Sequence, residues 1–215
     1  IDVAVQPIDN EFGVYGEVDQ LQSALCKTSG TLMPLSGDIT LDVADLGFQL
    51  LNPAFPDLVL HLFGHILGIG TLWQQNGCSD CPSSSSANYT CTHAVEEFQG
   101  LGGTGSALVE TNPALSPCAH LDESTFGSEL MTSVLSGDDP LSVVSIGALE
   151  DIGFLVDFGA ADSYALPASS VSPGSLSHPL AGAAGDSATQ PALRTHAHVH
   201  QDHGHDHTHH DHDQY

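Results

Sequence analysis

The sequence predicts an α+β fold, with strands early in the chain and helices later. Residues 1 to about 50 carry short apolar runs, such as Ile1 to Val5 and Ile39 to Val43, separated by Gly, Pro, Asn and Asp. This pattern is typical of strands and loops. A long apolar stretch follows Asp57, and helical spacing of apolar residues returns after about Leu121. Strands followed by helices favour an α+β arrangement.

Length and charge limit the classes of function. The chain has 215 residues, of which 40% are hydrophobic, enough for one core with appended tails. Asp and Glu number 27 against 2 Lys and Arg, a formal net charge of -25. Such a surface repels phosphate backbones, so we expect no nucleic-acid partner. We also expect no transmembrane segment, because no run of about 20 apolar residues occurs. The charge provides solubility or attracts divalent cations, and both interpretations stay open.

A pair of histidines in the first apolar stretch has the spacing of metal ligands. In LVLHLFGHILGIGTLW, residues 58–73, His61 and His65 are four positions apart, so a helix places both on one face. The helix of a zinc peptidase, written HExxH, also has a glutamate after the first histidine that activates the metal-bound water. That position is Leu62 here.

The boundaries of this helix follow from its flanking residues. We expect Asp57 to be its N-cap, directly after Pro56. Gly68 and Gly70 are expected to end it, because glycine readily adopts the left-handed conformation that follows many helices.

Beyond this helix, the chain is loop-rich before regular structure resumes. Residues 78–118 are rich in Ser, Gly, Asn and Pro, with one short helical candidate at His93 to Phe98. A second core helix is predicted by the apolar spacing through Ile146, Leu149, Ile152 and Phe154.

The cysteines favour an oxidising, secretory environment. Asn88-Tyr89-Thr90 is an N-glycosylation acceptor within the region that holds most of them. The short Cys78 to Cys81 spacing also fits half of a zinc knuckle or a redox pair, although disulfides are favoured. The number of cysteines is odd, and the partner of one of them is expected in an N-terminal segment that precedes Ile1. The five are Cys26, Cys78, Cys81, Cys91 and Cys118.

The last part of the chain changes composition twice. Residues 161–195 are dominated by Ala, Ser, Pro and Gly and are predicted to be a disordered linker. Residues 196–215 form a tail of interleaved His and Asp that is predicted to bind divalent metals without folding. An inert solubilising tail or a purification tag is the alternative. The nine tail histidines are His196, His198, His200, His203, His205, His207, His209, His210 and His212.

Three stretches together resemble the leishmanolysin-like family of metzincin zinc endopeptidases. HLFGHILGIGTLW resembles the zinc helix and its following turn, and YTCTHAVEEFQGLGG, residues 89–103, is similar to part of the family's insert. AHLDESTFGSELMTSVLSGDDPLS, residues 119–142, is similar to the block with the third histidine and the Met-turn. The resemblance implies a metzincin-like peptidase domain over residues 1–160, with the N-terminal part of the family's domain missing.

The resemblance also implies a zinc site. Most metzincins take their third ligand from a position that is Thr71 here, whereas the leishmanolysin-like branch takes it after a long insert. By that match His120 joins His61 and His65 as ligands of Zn²⁺, and Met131 is the Met-turn residue. Three imidazoles with an open coordination position are typical of catalytic zinc.

Leu62 is the main departure from the family. It stands where the family's general base would stand, and losing such a group lowers a rate by about 10² to 10⁴. Glu129, Glu123 and Asp122 lie near His120 or Met131 in sequence, yet capping and loop hydrogen bonds are the more natural roles for them.

We therefore expect a secreted or cell-surface metallopeptidase homologue that binds zinc, accepts a peptide or protein in its cleft, and has impaired catalysis. Two alternatives stay open. One is metal scavenging or buffering through the His-rich tail, and the other is residual peptidase activity.

Overall fold

A computed structural model describes residues 1–25, 29–81, 87–168 and 193–198, with 20–25 and 193–198 described by their backbone alone. The predicted α+β class is confirmed, since both sheets and helices are present. Within these residues no helix is both long and apolar enough to cross a bilayer.

The larger sheet has five strands in the order β1-β3-β2-β7-β6. β3 pairs in parallel with β1 and antiparallel with β2, and β7 lies parallel to β2 and antiparallel to β6. A small antiparallel sheet pairs β4 with β5. The strands are β1 (Asp2–Gln6), β2 (Gly16–Leu25), β3 (Leu32–Asp42), β4 (Ala87–Tyr89), β5 (Ala107–Val109), β6 (Val134–Leu135) and β7 (Leu193–His198).

The predicted helices are present, and one predicted boundary is wrong. The first predicted helix begins at Phe55 with Ala54 as N-cap, so Asp57 lies inside the first turn instead of capping it. The helix can begin before Pro56 because the first turn needs no backbone N–H donor there. The helices are α1 (Leu46–Gln49), α2 (Phe55–Ile66), α3 (Thr92–Gly100), α4 (Glu123–Phe126) and α5 (Val143–Ile152), followed by a 3-10 turn at Phe158–Ala160.

Two apolar cores lie on either side of the region that carries His61 and His65. One core is formed between the large sheet and α2, and includes Val18, Ile39 and Leu62. The other joins α3 and α5 to the segment after α2, and includes Trp73 and Met131. One core packs on one side of α2, and the core that contains Met131 packs on the other. His61 and His65 are therefore shielded from water on both sides.

Two disulfides brace the loop-rich region. Cys78 pairs with Cys91, and Cys81 pairs with Cys118. The short Cys78 to Cys81 spacing is therefore used by two separate bridges, not by a knuckle or a redox pair. Such bridges are typical of proteins from oxidising compartments. Cys26 lies outside the described residues.

The predicted linker and tail lie mostly outside the described residues. Tyr164 and Leu166, at the start of the predicted linker, pack against the core that contains Trp73. β7 spans the predicted boundary between linker and tail, and its backbone continues the large sheet. Residues 169–192 and 199–215 are not described, so the linker and the tail stay predictions.

Candidate metal centre

Three histidines converge at one point in the interior. His61 and His65 lie on α2, and His120 comes from the loop that precedes α4. The Nε2 atom of His65 is 2.8 Å from Nε2 of His61 and 3.0 Å from Nε2 of His120. All three side chains are fully buried. The histidines that the sequence placed 55 residues apart, His65 and His120, are thus in direct contact.

The opposite nitrogen of each ring faces a backbone carbonyl. His61 Nδ1 lies 2.6 Å from the carbonyl oxygen of Leu130, and His65 Nδ1 lies 2.9 Å from that of Ile69. His120 Nδ1 lies 3.2 Å from the carbonyl oxygen of Ser116. A carbonyl only accepts, so each Nδ1 carries the proton and each Nε2 presents a lone pair. Such outer contacts orient histidine ligands in metal sites.

This arrangement of lone pairs fits a cation. Burial lowers the pKa of the His61 ring well below its usual value. Burial likewise lowers the pKa of His65 to about 4. Neutral rings with Nδ1–H tautomers have no proton to share between their Nε2 atoms, so a metal ion between them removes the repulsion. The described residues can therefore hold a metal ion.

The donor set suits a borderline-soft divalent ion. Neutral imidazoles are common ligands of zinc, copper and nickel. Nitrogens bound to tetrahedral zinc at 2.0–2.1 Å are about 3.3 Å apart. The rings would need to separate by only a few tenths of an ångström from their present 2.8 and 3.0 Å spacing.

Two glycines set the distances between the elements of the site. A Cβ atom at Gly70, where φ is +76°, would lie 1.9 Å from the carbonyl oxygen of Ala119. Only glycine permits this approach, which brings the neighbouring His120 up to α2. A Cβ atom at Gly64 would lie 2.6 Å from the sulfur of Met131. The buried Met131 side chain therefore packs against α2 between its two histidines.

Leu62 faces the sheet side of α2. It is fully buried in the core between α2 and the sheet. A Cβ atom at Gly16 of β2 would lie 2.8 Å from Cδ1 of Leu62. Gly16 pairs in turn with Thr195 of β7. The position after the first histidine is thus occupied by an apolar side chain beneath the β2–β7 pair.

Thr71 and Glu129 have structural partners. The hydroxyl of Thr71 donates to the carbonyl of His65 at 2.7 Å, which closes the turn after α2. The buried Glu129 carboxylate accepts hydrogen bonds from Met131 N and from the hydroxyls of Ser142 and Ser145. Burial raises the pKa of Glu129.

The other two carboxylates also lie outside the histidine cluster. Asp122 caps α4 by accepting from the backbone N–H of Thr125 at 2.9 Å. Burial raises the pKa of Glu123 to about 7. Among the described residues, the metal-binding group around α2 contains the three histidines alone.

The remaining predicted site residues are located only in part. Asn88 lies half-buried on β4, where its amide donates to Asp80 at 3.0 Å. His196 and His198 belong to β7, and the other tail histidines lie outside the described residues. Sequence reasoning missed a second group, Asp9, Asp42 and Asp45. The short spacing of the last two was its only sequence signal.

Comparison with known proteins adds no relative. The chain matches neither a protein-family model nor a curated protein. The resemblance to leishmanolysin-like peptidases therefore depends on the three sequence stretches alone.

Proposed function

We propose that the protein is a secreted zinc-binding homologue of leishmanolysin-like metallopeptidases whose peptide hydrolysis is impaired. The observation that carries the proposal is the convergence of the His61, His65 and His120 Nε2 atoms, each ring oriented by a backbone carbonyl. This is the ligand set implied by the sequence resemblance.

The residues around the centre can supply the zinc-binding part of the family's chemistry but not its acid/base part. The three imidazoles would hold zinc, which when bound supplies a Lewis acid that activates water. Met131 packs beneath α2, and its segment also positions His61 through the Leu130 carbonyl. Leu62 has no group that accepts or returns a proton, so binding is retained while the acid/base step is lost.

The position of β7, an extended segment beside the histidine centre, supports a peptide-binding role. β7 lies between β2 and β6 and pairs with both. β6 begins shortly after Met131, and β2 packs on α2 through Gly16 and Leu62. Addition of a strand at a sheet edge is a common mode of peptide recognition. We propose that an extended peptide takes the place of β7 between the same two strands.

Zinc content and peptidase activity test the proposal together. We expect one tightly bound zinc in the chain shortened to residue 198, which keeps β7 and lacks most tail histidines. Leu62→Glu should raise cleavage of casein by about 10² to 10⁴ over the native protein. Leu62→Gln is the matched control, because it buries a polar group of the same size without an acid/base function.

Three results would contradict the proposal. A shortened chain that retains no zinc would remove the metal site. If the native protein cleaves casein and Leu62→Glu does not increase the rate, Leu62 does not limit the activity. Equal gains from Leu62→Glu and Leu62→Gln would assign the effect to altered packing.

Metal scavenging through the tail is the second candidate, and the density of its histidines favours it. The full chain should then bind several zinc equivalents more than the chain ending at residue 198, measured by calorimetric titration. The additional binding should weaken as pH falls through about 6.5, where free imidazole is protonated. Equal stoichiometry of the two chains would exclude scavenging.

A further inference from the structure

A second group of possible metal ligands lies at the ends of two parallel strands. β1 and β3 run side by side to Gln6 and Asp42. Asp9 follows β1, while Asp42 and Asp45 end β3 and begin the turn into α1. An oxygen from each of the three carboxylates lies within 4.8 Å of the others. The group is composed of oxygen donors alone, unlike the histidine centre.

Among the side chains that the structure describes, no protein cation balances these charges. Asp42 and Asp45 are buried, and Asp9 is exposed. Lys27 and Arg194 are the only Lys and Arg residues in the whole sequence. Among the described residues, the contacts between a basic side chain and a carboxylate are those of His93 with Glu150 and Asp151, which involve none of the three. Three carboxylates this close repel one another unless a cation joins them.

Hydrogen bonding accounts for most of the group but leaves one oxygen over. Asp42 accepts from the backbone N–H groups of Ile8, Asp9 and Ala44. Asp45 accepts from Phe12 N at 2.8 Å through Oδ1. Its other oxygen, Oδ2, is buried and has no hydrogen-bond partner among the described residues. Leaving a buried charged oxygen unsatisfied is expensive, so this atom indicates a missing ligand.

Helix capping does not explain Asp45. It occupies the N-cap position of α1, where an aspartate normally accepts from the first turn, yet its side chain makes no capping bond. One turn later, Gln49 is also buried, and its Oε1 has no hydrogen-bond partner among the described residues. Its amide nitrogen donates to the carbonyl of Tyr15, which also accepts from Asp42 N. Gln49 therefore contributes a second unsatisfied buried oxygen, four residues after Asp45.

We propose that Asp9, Asp42 and Asp45 form a site for a hard divalent cation, with Ca²⁺ as the ion that fits best. Ca²⁺ takes carboxylate and carbonyl oxygens at 2.3–2.6 Å, so oxygens on opposite sides of the ion are about 5 Å apart. The 4.8 Å limit on the oxygens of this group falls within that span. Mg²⁺ requires shorter distances and a stricter geometry.

The site would join the loop before β2 to the turn before α1. Phe12 in that loop and Phe48 on α1 already touch edge to face, with ring centroids 5.8 Å apart. Phe12 is 59% and Phe48 is 38% exposed, so this contact alone holds the loop weakly. A bound cation would fix the loop against α1, a few residues before α2 begins.

Calcium titration of the full chain tests the site. We expect Ca²⁺ to raise the melting temperature in thermal unfolding. Calorimetry should show one Ca²⁺ per chain that binds more tightly than the weakly bound ions of the acidic surface. Asp45→Asn and Asp9→Asn should each weaken that equivalent by at least about 10-fold, because ligand charge sets calcium affinity. Both substitutions keep an oxygen that accepts from the same backbone N–H, so folding is preserved. Zinc content should stay unchanged.

Glu96→Gln is the matched control, since it removes one charge from an exposed position of α3. The proposal is supported if the control keeps the native calcium response while both aspartate variants lose it. It is overturned if native protein shows no response, or if all four proteins respond equally, which would assign the effect to general charge screening.

Discussion

The histidine centre and the acidic group differ in how each satisfies its buried polar atoms. In the histidine centre every outer nitrogen has a carbonyl partner, and only the three inward Nε2 atoms lack a proton. In the acidic group, backbone N–H donors satisfy most oxygens, and Oδ2 of Asp45 has no hydrogen-bond partner in the part of the chain that the structure describes. Neutral nitrogens favour zinc-like ions, whereas charged oxygens favour calcium-like ions. One chain thus presents two donor sets that need not compete for the same metal.

The largest effect is expected from removing a nitrogen ligand. Structural zinc contributes roughly 10 to 16 kcal/mol through four ligands, so His120→Ala should weaken zinc binding by about 10² to 10³. Competition with a zinc chelator, using the chain ending at residue 198, measures this. His93→Ala is the control, because His93 lies exposed on α3 with Asp151 as its partner.

The calcium response of His120→Ala tests whether the two sites are independent. If they are independent, His120→Ala should leave the calcium response of the acidic group intact. Loss of both responses in His120→Ala would indicate that the variant is unfolded or that the sites are coupled.

The next effect concerns the disulfide beside the third histidine. Cys118 is two residues before His120 and is joined to Cys81, 37 residues away. Replacing both cysteines with serine should reduce the free energy of unfolding by about 4 kcal/mol and also weaken zinc binding. Denaturant unfolding and chelator competition measure the two effects.

The second bridge provides the comparison. Removing Cys78 and Cys91, 13 residues apart, should reduce stability by about 3 kcal/mol. Zinc binding should change little, since this bridge does not adjoin His120. Equal loss of zinc affinity in both double variants would show that neither bridge positions the histidine specifically.

The smallest effect is the pH dependence of the metal-free protein. Burial lowers the pKa of His65 from 6.5 to about 4, so between these values the unfolded chain binds the proton that the folded chain excludes. Stability is therefore full above pH 6.5 and falls as pH decreases towards 4, by roughly 3 kcal/mol at about 1.4 kcal/mol per pH unit.

His65→Gln isolates this contribution. Burial raises the pKa of Glu123 to about 7, which acts in the opposite direction between pH 4.5 and 7 but is common to both proteins. Denaturant unfolding across pH 4 to 7 should show a shallower loss at low pH in the variant. Parallel curves for native protein and His65→Gln would be inconsistent with a buried neutral histidine.

The sequence by itself determined the local elements and part of the histidine centre. Apolar runs indicated the first strands, a long apolar stretch indicated α2, and helical spacing of apolar residues indicated α5, because these signals depend on neighbouring residues. The four-residue spacing of His61 and His65 fixes a shared helix face in the same way. The start of α2 was misjudged since Asp57 fits both an N-cap and a first-turn position.

The tertiary structure decided which distant residues meet. His120 joins α2 because Gly70 allows close contact with Ala119, a contact that no spacing rule contains. Asp9 meets Asp42 and Asp45 because β1 and β3 pair in parallel, which brings their carboxyl ends to one edge. The family resemblance suggested that His120 joins the other two histidines, whereas no sequence signal placed Asp9 beside Asp42 and Asp45. Local propensity acts over a few residues, whereas both sites depend on contacts between residues that lie far apart in the chain.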